Sequence, residues 1–366
     1  MSELPGKTIY FRNLDALRFI SFLGVFFSHT LKFPTENNVL ADFFLYLVSL
    51  NYFSVPLFFT LSSFLITYHL LSQQMRYGKI SLLQFYRNRI LRIWPIYFLL
   101  VATCFLLIPA LASVMHIKSL SLPQAAPFLF FYANFYIIEH GNAFTAALLI
   151  LWSISIEEQF YLTWGPLLKF LSKKWLPGLI LLLLLISLAF SYHYLLIMHK
   201  KPGNLAIHSI YVLQNFCTGA LMAWICINKN KSFLLLLRSP KISWAAVYII
   251  LPVSCFFLKD IVLLNLIKSC CYSLIIFDQA FNEQRIFNAG KIKLVNYLGK
   301  ISYGLYIYHA LVIVLAQNLF KFFSDSELPF WISILQAAVT FMITAVIAHT
   351  SYRYIELKFL ALKKRF

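Results

Sequence analysis

Apolar runs near the length of a membrane-crossing helix recur along this chain, divided by short polar breaks. They occupy residues 14–32, 50–72, 94–114, 145–168, 176–196, 207–227, 242–257, 262–281, 299–320 and 330–354, each close to the roughly 20 residues that cover a bilayer's hydrocarbon core. The pattern predicts an all-α, polytopic integral membrane protein with about ten transmembrane helices, an even number that leaves both termini on one side. The aromatic, proline-containing stretch between Met115 and Thr145 resists assignment. A full crossing there would move Lys173 and Lys174 to the opposite face. The stretch is therefore expected to lie at the outer face or to re-enter the membrane, a course tolerated only where protein or a polar cavity surrounds it.

The breaks alternate in charge. Of the 31 Lys and Arg, 22 fall on the side that holds both termini and 6 on the other, and Arg18, Lys268 and Arg353 lie inside spans. Such asymmetry places the basic side, and so both termini, in the cytoplasm. It also explains the net charge of +18 by topology, without a nucleic acid partner. A chain that is 61% apolar and 12% charged, with a mean hydropathy of +0.76, lies far from soluble domains. The first apolar run has no small-residue cleavage site after it and is expected to be retained as a span. The six cysteines sit in apolar runs without paired spacing and read as small buried hydrophobes, so no metal site is expected. Residues 1–366 are expected to form one membrane domain with no separate soluble domain.

A few polar groups interrupt the apolar background. Arg18 and His29 share the first span, NLDALRFISFLGVFFSH; eleven positions at 3.6 per turn set them within roughly 20° of each other and about 16 Å apart along a helix. Either alone reads as an interfacial anchor, but an ionisable pair on one face points to a polar interior. A neutral imidazole is also the side chain best suited to take a proton from a hydroxyl near neutral pH. Arg89 and Arg92, in YRNRILRIWPIY, share a helical face before the third span. They read as orientation residues or as a phosphate site in about equal measure. Glu157 and Glu158 lie together within LWSISIEEQFYLTW, with Tyr161 at i+4 and i+3; an acid pair inside a membrane is more often functional than structural. Ser302, Tyr306 and His309 line one face of the ninth span. His349, Arg353 and Glu356 do so in the tenth, where Arg353 and Glu356 are also placed to neutralise each other. Lys268 and Asp278, in the eighth, are weaker candidates for a cavity wall.

In order, LDALRF with ten residues between Arg18 and His29, then VPLFFTLSSFLIT, RNRILRIWPIY, LWSISIEEQFYL, ISYGLYIYH and SYRYIE resemble the acyltransferase-3 family of membrane O-acyltransferases. The likeness runs from about residue 10 to 357. It implies a ten-helix domain that takes an acyl group, acetyl by default, from cytoplasmic acyl-CoA and delivers it to a hydroxyl of a cell-surface saccharide or lipid-linked saccharide such as lipopolysaccharide O-antigen. Acetyl-CoA is then a co-substrate, no cofactor is bound permanently, and the location is the bacterial inner membrane. By motif the resemblance assigns His29 to catalysis and Arg18, Arg89 and Arg92 to acyl-CoA, and Glu157 or Glu158 would orient His29 or hold the sugar. Tyr161, Ser302, Tyr306, His309 and Arg353 are further cavity candidates. Where the family has glycine, an acid and glycine, this chain has Ser54, Pro56 and Ser63, so an acid is missing there. The chain is expected to lack the esterase-like domain that some members carry after the membrane part, so acceptor delivery is expected to rest on the membrane domain or a separate partner. Two other classes compete: a secondary transporter or flippase for an anionic or glycolipid substrate, which would use the same ionisable groups as a proton or anion path, and a membrane scaffold, which would need none of them.

Overall fold

A computed structural model describes residues 10–31, 54–114, 122–141, 146–228, 233, 236, 239–282, 285, 287–323 and 330–364. Among them there is no strand. The long helices are α1 (Arg12–Thr30), α2 (Ser54–Tyr77), α3 (Leu82–Ala102), α4 (Leu151–Phe170), α5 (Leu176–Tyr192), α6 (Ser209–Asn228), α7 (Lys241–Phe257) and α8 (Ile261–Phe281). They are followed by α9 (Lys293–Lys300), α10 (Ser302–Phe323) and α11 (Phe330–Ser351). Five-residue π-turns extend α3, α5 and α11 at Thr103–Leu107, His193–Ile197 and Tyr352–Glu356.

Each of the ten apolar stretches holds a helix. Six are long and apolar enough to cross a membrane: Ser54–Tyr77, Leu82–Val114, Leu176–Ile197, Ser209–Asn228, Ile261–Phe281 and Phe330–Ala361. A seventh joins them if Lys293–Lys300 and Ser302–Gln317 are one broken span. Helices α1 and α4 reach 19 and 20 residues, but the ionisable residues that drew attention to them also dilute their hydropathy. Between Met115 and Thr145 the described part holds only Ala126–Leu129 and Ala133–His140, each too short to cross; residues 115–121 and 142–145 lie outside the described residues.

Two compact units emerge. One comprises Met1–Ser21, Phe53–Leu82 and Phe160–Gly299. Its helices α2 and α6 approach closely: a Cβ on Gly219 would stand 2.2 Å from the Thr60 carbonyl oxygen. Lipid is as apolar as leucine, so membrane helices associate through such close backbone approach and through polar links. Beside Gly219, the Ser63 hydroxyl donates to the Phe216 carbonyl at 2.5 Å, the Trp164 indole donates to Thr67 Oγ1 at 2.8 Å, and Phe160 stacks on Phe216 at 4.1 Å. Ser63, one of the departures from the resembled pattern, thus serves this contact. Asp278 is fully buried and accepts from Tyr248, Gln279 and Asn282 at 3.0, 3.1 and 2.6 Å. Those bonds explain its charge structurally, so it is no partner for Lys268, which is buried elsewhere on α8.

The other unit comprises Phe22–Tyr52, Leu83–Gln159 and Lys300–Phe366. Phe22, Phe26 and Phe341 form its aromatic centre. The two short helices are pinned by Tyr97, whose hydroxyl donates to the Phe128 carbonyl at 2.7 Å. Phe131, between them, holds a φ of 57°, a region that disfavours bulky side chains. Rings of Trp94, Tyr97 and Phe98 surround it, and Gln159 Nε2 donates to its carbonyl at 2.8 Å, so packing over-determines the conformation.

Candidate active site

Helix α1 runs unbroken from Arg12 to Thr30, and the eleven-residue spacing of Arg18 and His29 therefore becomes a rise of about 16 Å. Arg18 is not a bare cation. It forms a salt bridge with Asp15, one turn earlier and buried, and the Tyr10 hydroxyl donates to the same carboxylate. Burial, followed by the bond to Asp15 and that acid's charge, pushes the Tyr10 phenol up to about 12. Asp15 was legible in LDALRF as an i, i+3 neighbour of Arg18, yet its role emerges only when its burial is known.

At the far end of α1, His29 has one exposed side and one held side. Its Nδ1 lies 3.1 Å from Nε2 of His309 on α10, which is fully buried. The ring planes differ by 7° and the centroids are 5.4 Å apart. That separation equals the 3.1 Å contact plus one ring radius at each end, so the imidazoles meet edge to edge, nearly coplanar, as an in-plane hydrogen bond requires. His309 Nδ1 in turn lies 2.5 Å from the Tyr306 carbonyl, and Phe22 packs edge-on against the His309 ring at 5.8 Å.

Ser302, Tyr306 and His309 share the buried face of α10 expected from their spacing. The Tyr306 hydroxyl meets that of Ser153 on α4 at 2.7 Å, and Ser153 donates to the Ile150 carbonyl at 3.0 Å. A second polar group sits on α3 and α4. The Trp94 indole donates to Glu158 Oε2 at 3.4 Å, while Glu158 Oε1, also buried, has no hydrogen-bond partner among the described residues. Glu158 is thus held by Trp94, and the contact at His29 Nδ1 is made by His309. Glu157 is half-buried beside it, and Tyr161 is buried one turn further along α4.

A third group surrounds the basic end of α3. Arg89 and Arg92 are half-buried, and the Tyr303 hydroxyl donates to the Ile93 carbonyl at 2.9 Å, tying α10 to the turn that presents Arg92. The charge of Arg92 faces Glu356, which is 6% exposed. A Cβ on Gly304 would lie 3.2 Å from Glu356 Oε1, so glycine there gives the carboxylate room. The expected pairing of Arg353 with Glu356 does not form. The π-turn Tyr352–Glu356 has a wider repeat than an α-helix, and it leaves Arg353 exposed, its guanidinium over the Tyr354 ring at 5.8 Å, while Glu356 turns inward. Arg353 is accordingly an exposed residue beside Tyr354.

Lys363, which nothing in the sequence separated from the other basic residues of the tail, joins this group. Burial, and then the charges of Arg92 and Arg89, lower its ammonium to about 8. Lys363 therefore lies within the field of both guanidinium groups. Among the described residues no three His, Cys, Asp or Glu side chains converge to hold a metal.

No solved structure matches the chain. Among similar proteins, the O-acetyltransferase OatA of Staphylococcus aureus is 27% identical over 371 residues, covering 95% of this chain and 57% of the relative. The peptidoglycan O-acetyltransferase OatA of Listeria monocytogenes is 26% identical over 378 residues, covering 95% and 55%. The chain thus spans little more than half the length of these relatives. A family model described as an acyltransferase domain matches residues 11–350, a range that takes in α1 with its Arg18 and His29, the basic turn of α3, the acids of α4 and the buried face of α10. The chain belongs to the acyltransferase-3 family.

Proposed function

We propose that this chain is a membrane O-acyltransferase that moves an acetyl group from cytoplasmic acetyl-CoA to a hydroxyl of a cell-surface saccharide. The observation that carries the reading is His29: an exposed residue whose imidazole is tied at Nδ1 to a buried histidine 3.1 Å away. In this reading ten helices cross the bacterial inner membrane and both termini are cytoplasmic. The lipid and the two substrates are the partners, and the co-substrate is the only coenzyme. Arg89, Arg92 and Lys363 bind the CoA phosphates through charge-assisted hydrogen bonds, and Arg18, offset by Asp15, contributes a weaker field. The pantetheine arm extends toward His29, a reach comparable to the helix rise of about 16 Å between the two levels.

The chemistry is a general-base acyl transfer. His29 takes the proton of the acceptor hydroxyl as its oxygen bonds to the thioester carbonyl carbon; the C–S bond then breaks, and the departing thiolate takes that proton from His29 to leave as free CoA thiol. No bond to the protein is needed. In this reading Glu157 and Glu158 hold acceptor hydroxyls. The name of the Listeria monocytogenes relative favours a peptidoglycan acceptor and the sequence likeness an O-antigen; both offer a sugar hydroxyl.

Membranes bearing the wild type or His29→Ala are supplied with labelled acetyl-CoA, and label is followed into glycan. Loss of transfer in the variant, at equal protein level, is expected, and retained turnover would reject the reading. Mass spectrometry of peptidoglycan and lipopolysaccharide from cells with and without the protein identifies the acceptor.

A further inference from the structure

We infer that His309 is a positioning residue which fixes His29 in the tautomer protonated at Nδ1, and that His29 Nε2 is therefore the nitrogen that receives the acceptor's proton. The inference rests on the acyl-transfer reading of His29 and deepens it.

The direction of the chain of hydrogen bonds follows from its last member. A carbonyl oxygen only accepts, so the contact between His309 Nδ1 and the Tyr306 carbonyl puts the hydrogen of a neutral His309 on Nδ1. Its Nε2 then carries a lone pair in the ring plane. That nitrogen faces His29 Nδ1 at 3.1 Å, so His29 must donate from Nδ1, and its own lone pair is left on Nε2. The near-coplanarity of the rings, 7° apart, is the geometry in which that lone pair is aimed at the donor hydrogen. When His29 takes a proton at Nε2, the Nδ1–H bond to His309 becomes charge-assisted and stronger. Catalysis gains from a contact that strengthens as charge develops. The arrangement performs with an imidazole and a backbone carbonyl what a carboxylate does behind many catalytic histidines.

Packing supports a fixed orientation. His309 is fully buried, Phe22 closes one side of its ring, and Tyr306 lies 5.4 Å from it on the same helix. Its Nδ1 is bonded three residues back within α10, so a ring flip would break both hydrogen bonds at once.

The test compares His309→Leu, which keeps volume and removes the acceptor, with His309→Gln, whose amide oxygen can stand near the position of Nε2. Acetyl transfer is assayed as kcat and as KM for acetyl-CoA, with size-exclusion and thermal melting as controls on folding. His309→Leu is expected to lose on the order of 10²-fold in kcat with KM for acetyl-CoA unchanged, and His309→Gln to recover most of that loss. Equal rates for the two variants, or a loss carried by KM alone, would overturn the inference. Nitrogen-15 spectra of histidine-labelled protein give a second measure: a His29 protonated at Nε2 in the resting state would also overturn it. His29→Ala distinguishes the levels. If that variant is inactive while His309→Leu keeps full kcat, only the positioning role fails; if it is active, the reading of His29 fails with it.

Discussion

Lys363 offers a quantitative test of the phosphate site. Its ammonium is lowered from the model-compound value of 10.5 to about 8 by burial and by Arg92 and Arg89, so in the free enzyme it is charged below that pH and neutral above it. A bound phosphate favours the charged form. Donor binding is then accompanied by proton uptake once the pH exceeds about 8, and affinity for acetyl-CoA must fall as pH rises through that region. The ligand's own charge is constant there, because the second ionisation of a phosphate monoester near 6 is already complete. Lys363 is half-buried, and after solvent screening the contact contributes about 1–1.5 kcal/mol, roughly 5- to 12-fold in KM. Initial rates against acetyl-CoA concentration from about pH 7 to about pH 9.5 should show KM rising by that factor in the wild type. Lys363→Arg, charged throughout, should hold KM low and flat. Lys363→Met should hold it high and flat. Parallel KM profiles in the wild type and Lys363→Arg would refute the assignment of Lys363 to the donor.

Three further outcomes follow from the geometry. Trp94→Phe removes the indole N–H that Glu158 Oε2 accepts at 3.4 Å and leaves a buried carboxylate short of a donor; thermal melting should report a loss of about 1–2 kcal/mol, with a larger fall in kcat than Tyr303→Phe causes. Gly219→Leu forces α2 and α6 apart, since even a Cβ would stand 2.2 Å from the Thr60 carbonyl; a loss of at least about 1–3 kcal/mol should appear as a lowered melting temperature in detergent, and an unchanged one would show that the helices can separate freely. Gly304→Ala crowds Glu356 Oε1 by a few tenths of an ångström, and acetyl-CoA KM should rise about two- to threefold as Arg92 shifts with its partner, with kcat unchanged.

The sequence by itself determined the helical class and the place of each apolar helix, because span length is set by the bilayer one segment at a time. It also marked His29, Arg89, Arg92, Glu158 and His309, since a polar residue stands out against an apolar background. What it could not determine was which of these groups meet. His29 and His309 are separated by 280 residues, and no periodicity links them. Arg353 and Glu356 were separated by a π-turn, a local widening of the helix that residue types do not announce. Lys363 looked like one more basic residue in a cytoplasmic tail until the fold set it beside Arg89 and Arg92. Pairing between helices depends on packing and backbone approach, and those are properties of the tertiary structure alone.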